Sequence, residues 1–285
     1  MQSHYFSVGS IVSWAEPGVG AVATQSIVEP AYGPKGLGQL RRGASAPDAL
    51  RRLLGDDENA AVRQVAIVDK HGRAAVHTGP RCIREAGHRV ADGVSAQANM
   101  MERATVPDAM IVAFRSTEGE LARRLLAALE AAEREGGDIR GRQSAAMVVV
   151  AARATGQPMT DKPVDLRVDD HPDPVRELRR LVEVHSAYRH IEVADELAAA
   201  GDNDGALAEY QRAHAKQPDN AELAFWLGVA LAASGHETEA RQLLDRAYRE
   251  REGWRELLRR LPESGLFPAD EDLLRRLAGP HVDEA

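Results

Sequence analysis

The chain has 285 residues, 44% of them hydrophobic and 28% charged, which is enough for two domains of ordinary size with a sizeable core. A net charge of -8 argues against a general nucleic-acid footprint, and a single cysteine, Cys82, excludes both an intrachain disulfide framework and a cysteine-rich zinc site. No apolar run approaches the roughly 18 residues of a membrane helix, and no basic segment followed by an apolar stretch opens the chain, so the expectation is a cytoplasmic protein without membrane or nucleic-acid partners.

The first elements are short. Residues 8–14 carry an apolar pattern, and Glu16-Pro17-Gly18 reads as the turn into a strand over 18–25. That strand ends in Thr24, Gln25 and Ser26, polar groups that either face a site or close a turn. A short helix follows over 32–40. A second helix, over 49–54, has Ser45 as its N-cap and Asp48 three residues on, with a stop at Gly55. Residues 64–69 and 73–78 form the clearest hairpin, with Lys70-His71-Gly72 as its loop. Cys82 lies in a polar loop and reads first as a small packing residue. Residues 94–98 are a strand leading to Asn99, whose amide either donates to a developing oxyanion or caps the next turn. Helices are expected over 107–114 and 119–135. The second has Thr117 and Glu120 as a capping box, a stripe of Leu121, Leu125, Leu129 and Ala132, and Gly136-Gly137 as its end.

The densest polar stretch runs from Gly136 to Pro174. Two strands, 145–152 and 164–168, flank a turn at 156–158. Arg140, Arg142, Gln143 and Ser144 stand before the first strand. Asp165, Arg167, Asp169, Asp170 and His171 lie along and beyond the second. Paired strands would gather these groups at one edge. Arg140 and Arg142 offer planar donor forks suited to a carboxylate or phosphate; the alternative is pairing with Asp165, Asp169 or Asp170. Ser144 has neither a GxSxG elbow nor a base nearby in sequence. Asp-Asp-His before Pro172 reads as a cap for the helix beginning at Val175. With neither HExxH nor paired cysteines, no metal site and no cofactor are expected.

These strings also carry a resemblance. GGDIRGRQSAA (136–146), VDLRVDDHPDPVRELRRL (164–181), PGVGAVATQSIVEPAYGPKGL (17–37) and DGVSAQANMM (92–101) resemble the bacterial family called domain of unknown function 1028. In the last string the family has Gln-Gly-Asn where this chain has Gln97-Ala98-Asn99. The resemblance covers about residues 1–185. It implies an N-terminal-nucleophile-hydrolase fold, an αββα sandwich of two antiparallel sheets with helices outside. In that class the first residue is the nucleophile and its α-amine the base. Residue 1 here is Met, and the chain reads as though it begins inside the family's second strand, so truncation relative to the family is expected. Candidate catalytic residues are then Ser3, Asn99 and Ser144. Ser3 and His4 are neighbours on a strand and point to opposite faces, so they are no dyad by proximity. Candidate substrate-binding residues are Thr24, Gln25, Arg142, Gln143, Asp165 and Asp169.

From about His185 the chain becomes alanine-rich and repetitive. Gly201 and Gly235, Ala206 and Ala240, Tyr210 and Leu244, and Ala213 and Ala247 are each separated by 34 residues, the tetratricopeptide period. Units fall at 187–220 and 221–254, with terminal helices at 254–261 and 270–277. The division expected is thus α+β, a sandwich domain over 1–183 and an all-α repeat domain over 184–285. The functional expectation is a hydrolase of a small-molecule amide or ureido C–N bond, with the repeats binding a protein partner or making a homo-oligomer. The alternative is a catalytically inactive scaffold acting through the repeats.

Overall fold

The computed structural model describes residues 1–268 and 270–279. Two compact units divide at Val182 and Glu183. In the first, strand β1 (Gln2–Ser3) precedes a 3-10 turn at Val8–Ser10 and the hairpin of β2 (Ser13–Glu16) and β3 (Gly20–Ser26). Helices α1 (Tyr32–Arg41) and α2 (Ala46–Gly55) lead to the hairpin of β4 (Arg63–Asp69) and β5 (Ala74–Thr78). A further hairpin, β6 (Gly87–Ala91) and β7 (Val94–Ala98), is followed by α3 (Val106–Ser116) and α4 (Leu121–Arg134). β8 (Ser144–Val149), the short α5 (Pro158–Asp161) and β9 (Val164–Val168) complete the unit before α6 (Pro174–Ala199), which runs through the division.

Alternation along β3 and β4 builds the layers. Val22, Val65 and Ile67 point to one side and pack with Leu37, Leu40, Leu50 and Leu53 of α1 and α2. The approach is close: a side chain at Gly33 would overlap the Trp14 indole. The intervening residues Ala21, Ala23, Gln25 and Ala66 face the other way, across a cavity toward β7 and β8. Sheet β2-β3-β4-β5 is antiparallel throughout. The second layer consists of two antiparallel parts, β1-β8-β9 and β6-β7. α3 and α4 cover it: Leu126 and Leu129 pack with Ala145, Met147, Val164 and Val168, while Phe114 and Ala128 pack with Val94. The order is helix, sheet, sheet, helix, the αββα layering.

Several boundaries differ from the sequence reading. The expected capping box at Thr117 is not formed; Glu120 is the N-cap and makes no side-chain cap bond. Ser45 does cap α2, accepting from the Asp48 amide at 3.3 Å. β6 was not anticipated. Its turn is Asp92-Gly93, with Ala91 opposite Val94 and Gly93 at φ 68°, a two-residue hairpin loop that glycine permits.

The second unit continues α6 with α7 (Asn203–Lys216), α8 (Ala221–Ala233), α9 (Glu237–Glu250), α10 (Gly253–Arg260) and α11 (Glu271–Ala278). Asp202 caps α7 through the Gly205 amide, and Asn220 caps α8 through the Glu222 and Leu223 amides. Ala194, Ala206, Phe225, Ala240, Leu244, Ala247 and Leu258 form its buried centre. Gly228 lets α8 and α9 approach: a Cβ there would stand 2.9 Å from Leu244 Cγ. Trp226 and Trp254 are half-buried against this core, both beside Phe225 at ring separations of 5.2 and 5.0 Å.

Candidate functional site

A cavity of about 170 Å³ opens between the sheets at the Ser26 end of β3. Its walls carry Ser3, Gln25, Ser26, Gln97, Asn99 and Arg140 among apolar groups such as Val12, Met101 and Met110. Parity places the carboxamides. Gln25 lies on the inward face of β3, and Gln97 and Asn99, two apart, share a face at the end of β7. A fourth amide ties two of them together. Gln64, on β4 and fully buried, accepts from Gln25 Nε2 at 2.7 Å and from Asn99 Nδ2 at 3.0 Å. Its own Nε2 lies 2.9 Å from Thr78 Oγ1, 2.9 Å from Ala98 O and 3.1 Å from Gly87 O. The group thus joins both layers.

With these bonds made, polar capacity is left unspent beside the cavity. Gln97 Oε1 and Ser26 Oγ are buried and have no partner among the described residues. Asn99 has a second amide proton beyond the one given to Gln64. Two wall residues also carry left-handed backbone without being glycine, Ser26 at φ 70° and Met100 at φ 57°. Such conformations cost free energy and concentrate at functional sites.

Asp138 and Arg140 form the charged corner. Asp138 accepts from Arg140 Nε at 3.0 Å, Arg140 Nη2 at 2.7 Å, the Arg140 amide at 2.9 Å and the His4 amide at 3.3 Å. Burial works against its charged form, but these bonds hold the carboxyl below its usual range. Arg140 Nη2 also reaches Ser3 Oγ at 3.4 Å. The Met1 amino nitrogen donates to Ala146 O at 2.9 Å, and burial pushes its pKa down to about 5.

The other candidate residues sit elsewhere. Thr24 is next to Gln25 on β3 and so points the opposite way; it is fully buried, and its hydroxyl donates to Glu29 O. Ser144 is fully buried, with its hydroxyl donating to Tyr5 O at 2.5 Å and accepting from the Val8 amide at 3.0 Å, so it serves as a structural fastener. Strands β8 and β9 do pair and gather polar groups, but along the β9 side. There Arg142 is bound to Glu133 and lies 3.7 Å from Asp173, and Gln143 donates to Asp170. Asp165 pairs with Lys162 at 3.0 Å, and Asp169 accepts from Ser7 at 2.6 Å and lies 3.4 Å from Arg167. Of the nine candidates, the structure brings Ser3, Gln25 and Asn99 to the cavity. Gln97, Ser26 and Arg140 join them, and Gln64 is buried behind the wall. Gln97 stood in the family-like Gln-Ala-Asn string, Ser26 at the polar end of its strand and Arg140 in the donor fork it shares with Arg142, whereas Gln64 carried no sequence signal. Among the described residues, no cluster of three or more His, Cys, Asp or Glu is arranged to hold a metal ion. No described helix is long and apolar enough to cross a membrane.

Layering and cavity together define an α+β sandwich protein extended by a helical repeat. Residues 1–178 match the family of unknown function DUF1028, and the chain belongs to that family. Residues 197–261 match the tetratricopeptide repeat. The chain is similar to protein SPO2555 from Silicibacter pomeroyi, a crystal structure assigned to the same family. Identity is 33% and the TM-score 0.58, over 64% of this chain and 76% of that one. No curated protein matches.

Proposed function

We propose that the protein hydrolyses a small-molecule amide or ureido C–N bond in the cavity formed by Gln25, Gln97 and Asn99. The observation that carries this reading is the carboxamide chain Gln25–Gln64–Asn99 at the wall of a cavity with an unpartnered Gln97 Oε1. A substrate N–H finds an acceptor in Gln97 Oε1 when that side chain turns toward the ligand. The substrate carbonyl finds a donor in the second Asn99 amide proton, held in place because the first is given to Gln64. A donor fixed in advance stabilises a developing oxyanion without reorganising during reaction. Of the hydroxyl candidates, Ser3 lines the cavity and is the one assigned to attack: its oxygen bonds the carbonyl carbon, its proton passes through water to the departing nitrogen, and a second water then releases the acyl group, with Arg140 Nη2 beside the attacking oxygen. In this reading the enzyme works in the cytoplasm, and its repeats serve self-association or a protein partner.

The test is a panel of small amides and ureido compounds, followed by release of ammonia or amine. Turnover is expected, lost in Ser3→Ala and reduced by roughly 100-fold to 1,000-fold in Asn99→Leu. Silence across the panel refutes the reading. The competing reading, a non-catalytic scaffold, draws on the tetratricopeptide match at 197–261. It predicts co-purification of a partner that disappears when the repeats are deleted, in a protein without turnover.

A further inference from the structure

Resting on that reading of the cavity, we infer that Arg140 recognises a carboxylate on the ligand. This narrows the substrate class to carboxylate-bearing amides and ureido compounds, of which N-acyl and N-carbamoyl amino acids are the simplest.

The argument begins with charge. Among the described residues, Asp138 and Arg140 are the only cavity-wall side chains with a formal charge. Asp138 is spent, since four hydrogen bonds converge on a side chain only 3% exposed. Arg140 is not. Its side chain is 40% exposed, and it meets Asp138 side-on, through Nε and Nη2. A guanidinium engaged on that side keeps its end-on edge, where Nη1 and the second Nη2 proton form another fork. Nη1 makes no hydrogen bond among the described residues, and the Nη2 contact to Ser3 Oγ is long at 3.4 Å. The ion pair fixes the plane of the fork, so its free edge is oriented before any ligand arrives.

The remaining polar capacity of the wall is different in kind. Gln97 Oε1 and Ser26 Oγ are buried and uncharged. One end of a ligand must therefore be an anion that accepts a planar pair of donors. Elsewhere it must present a neutral N–H. Phosphates satisfy the first demand, but the small volume and the carboxamide wall favour a compact molecule with an amide. Arg142, the other arginine of the same sequence stretch, cannot take this role, being bound to Glu133 away from the cavity.

The test compares ligands that differ only in the anion. N-carbamoylglycine and N-acetylglycine are titrated calorimetrically into the full chain at pH 7, against N-carbamoylglycinamide and N-acetylglycinamide. The acids are expected to bind at least tenfold tighter than their amides. Because Arg140→Gln alone leaves Asp138 buried and unpaired, the companion protein is the double variant D138N/R140Q, checked for folding by its thermal melt. In it the acid preference is expected to vanish. Equal affinity for acid and amide, no binding of either, or a preference that survives the double substitution overturns the proposal. Cleavage is scored separately. Acid-selective binding without turnover leaves the carboxylate site standing and removes the hydrolytic reading. Turnover of acids and amides alike does the reverse.

Discussion

Replacing Gln64 by leucine tests whether one buried amide holds the two layers and the cavity together. Leucine has nearly the same volume, so the change is chiefly the loss of hydrogen bonds. Five contacts disappear, from Gln25 Nε2, Asn99 Nδ2, Thr78 Oγ1, Gly87 O and Ala98 O. They do not count equally. Gln25 and Asn99 border the cavity and regain water, and Thr78 Oγ1 keeps His88 Nδ1 at 2.8 Å. Gly87 O and Ala98 O lose their partner inside the layer. At about 1–3 kcal/mol for each stranded buried group, the expected loss is about 3 kcal/mol. That corresponds to roughly 6–12 °C in melting temperature for a unit of this size. Urea unfolding of the first unit, read by near-UV signal, measures it. Gln64→Glu is the companion. Its carboxylate keeps the bonds from Gln25 and Asn99 but turns an oxygen toward the carbonyls of Gly87 and Ala98. Its folded pKa is therefore raised: the variant is best below the ordinary glutamate pKa and loses stability as pH rises through the raised value. A Gln64→Leu protein within 1 kcal/mol of the parent, together with a pH-independent Gln64→Glu, would refute the idea that this amide is the tie.

Three further predictions follow from individual contacts. Asp57 is held at about 2, chiefly by the Arg63 hydrogen bond and then by Tyr32, and both ion-pair partners are nearly buried, at 12% and 10% exposure. Because the folded value is depressed, its contribution is complete above the ordinary aspartate pKa and lost as pH falls through about 2. Asp57→Asn should cost about 3 kcal/mol at pH 7 and flatten the acid limb of a urea-midpoint profile. Gly228→Val should destabilise the helical unit by about 1–3 kcal/mol in a thermal melt, since even a Cβ meets Leu244. Ser144→Ala should cost about 1–3 kcal/mol by urea unfolding, because the Val8 amide and Tyr5 carbonyl lose their partner. Turnover per folded molecule should stay unchanged; a specific loss of kcat would place Ser144 in the chemistry after all.

The legible parts of this chain were those whose signal is local. Positions 34 apart repeat Gly, Ala and aromatic or Leu residues because each helix pair needs the same close contacts, and that spacing survives in one dimension. Hairpin β4–β5 was readable for the same reason. The cavity was not, because its geometry depends on which face each residue takes. Thr24 and Gln25 look alike as neighbours at a strand end, yet alternation sends one hydroxyl under the helices and one amide into the cavity. Arg140 and Arg142 share the same face in a sequence sense, but Asp138 lies beside one and Glu133 beside the other. Gln64 gave no signal at all. A glutamine at the start of a strand is ordinary until β7 is folded against it, and β7 is held there by a hairpin that turns at Asp92-Gly93.

In the proposed mechanism, the placement of Gln64 links stability to chemistry. The amide that holds the Asn99 side chain also fastens β6-β7 to the β2–β5 sheet, so in the proposed mechanism the oxyanion donor is positioned by the same bonds that close the layers. A weakened layer contact should misplace the donor before it unfolds the domain. Loss of activity in a partly destabilised variant would therefore precede loss of secondary structure on heating. Far-UV and activity melts run side by side on Gln64→Leu should separate. Coincident curves would mean that the donor is positioned by something other than this shared amide.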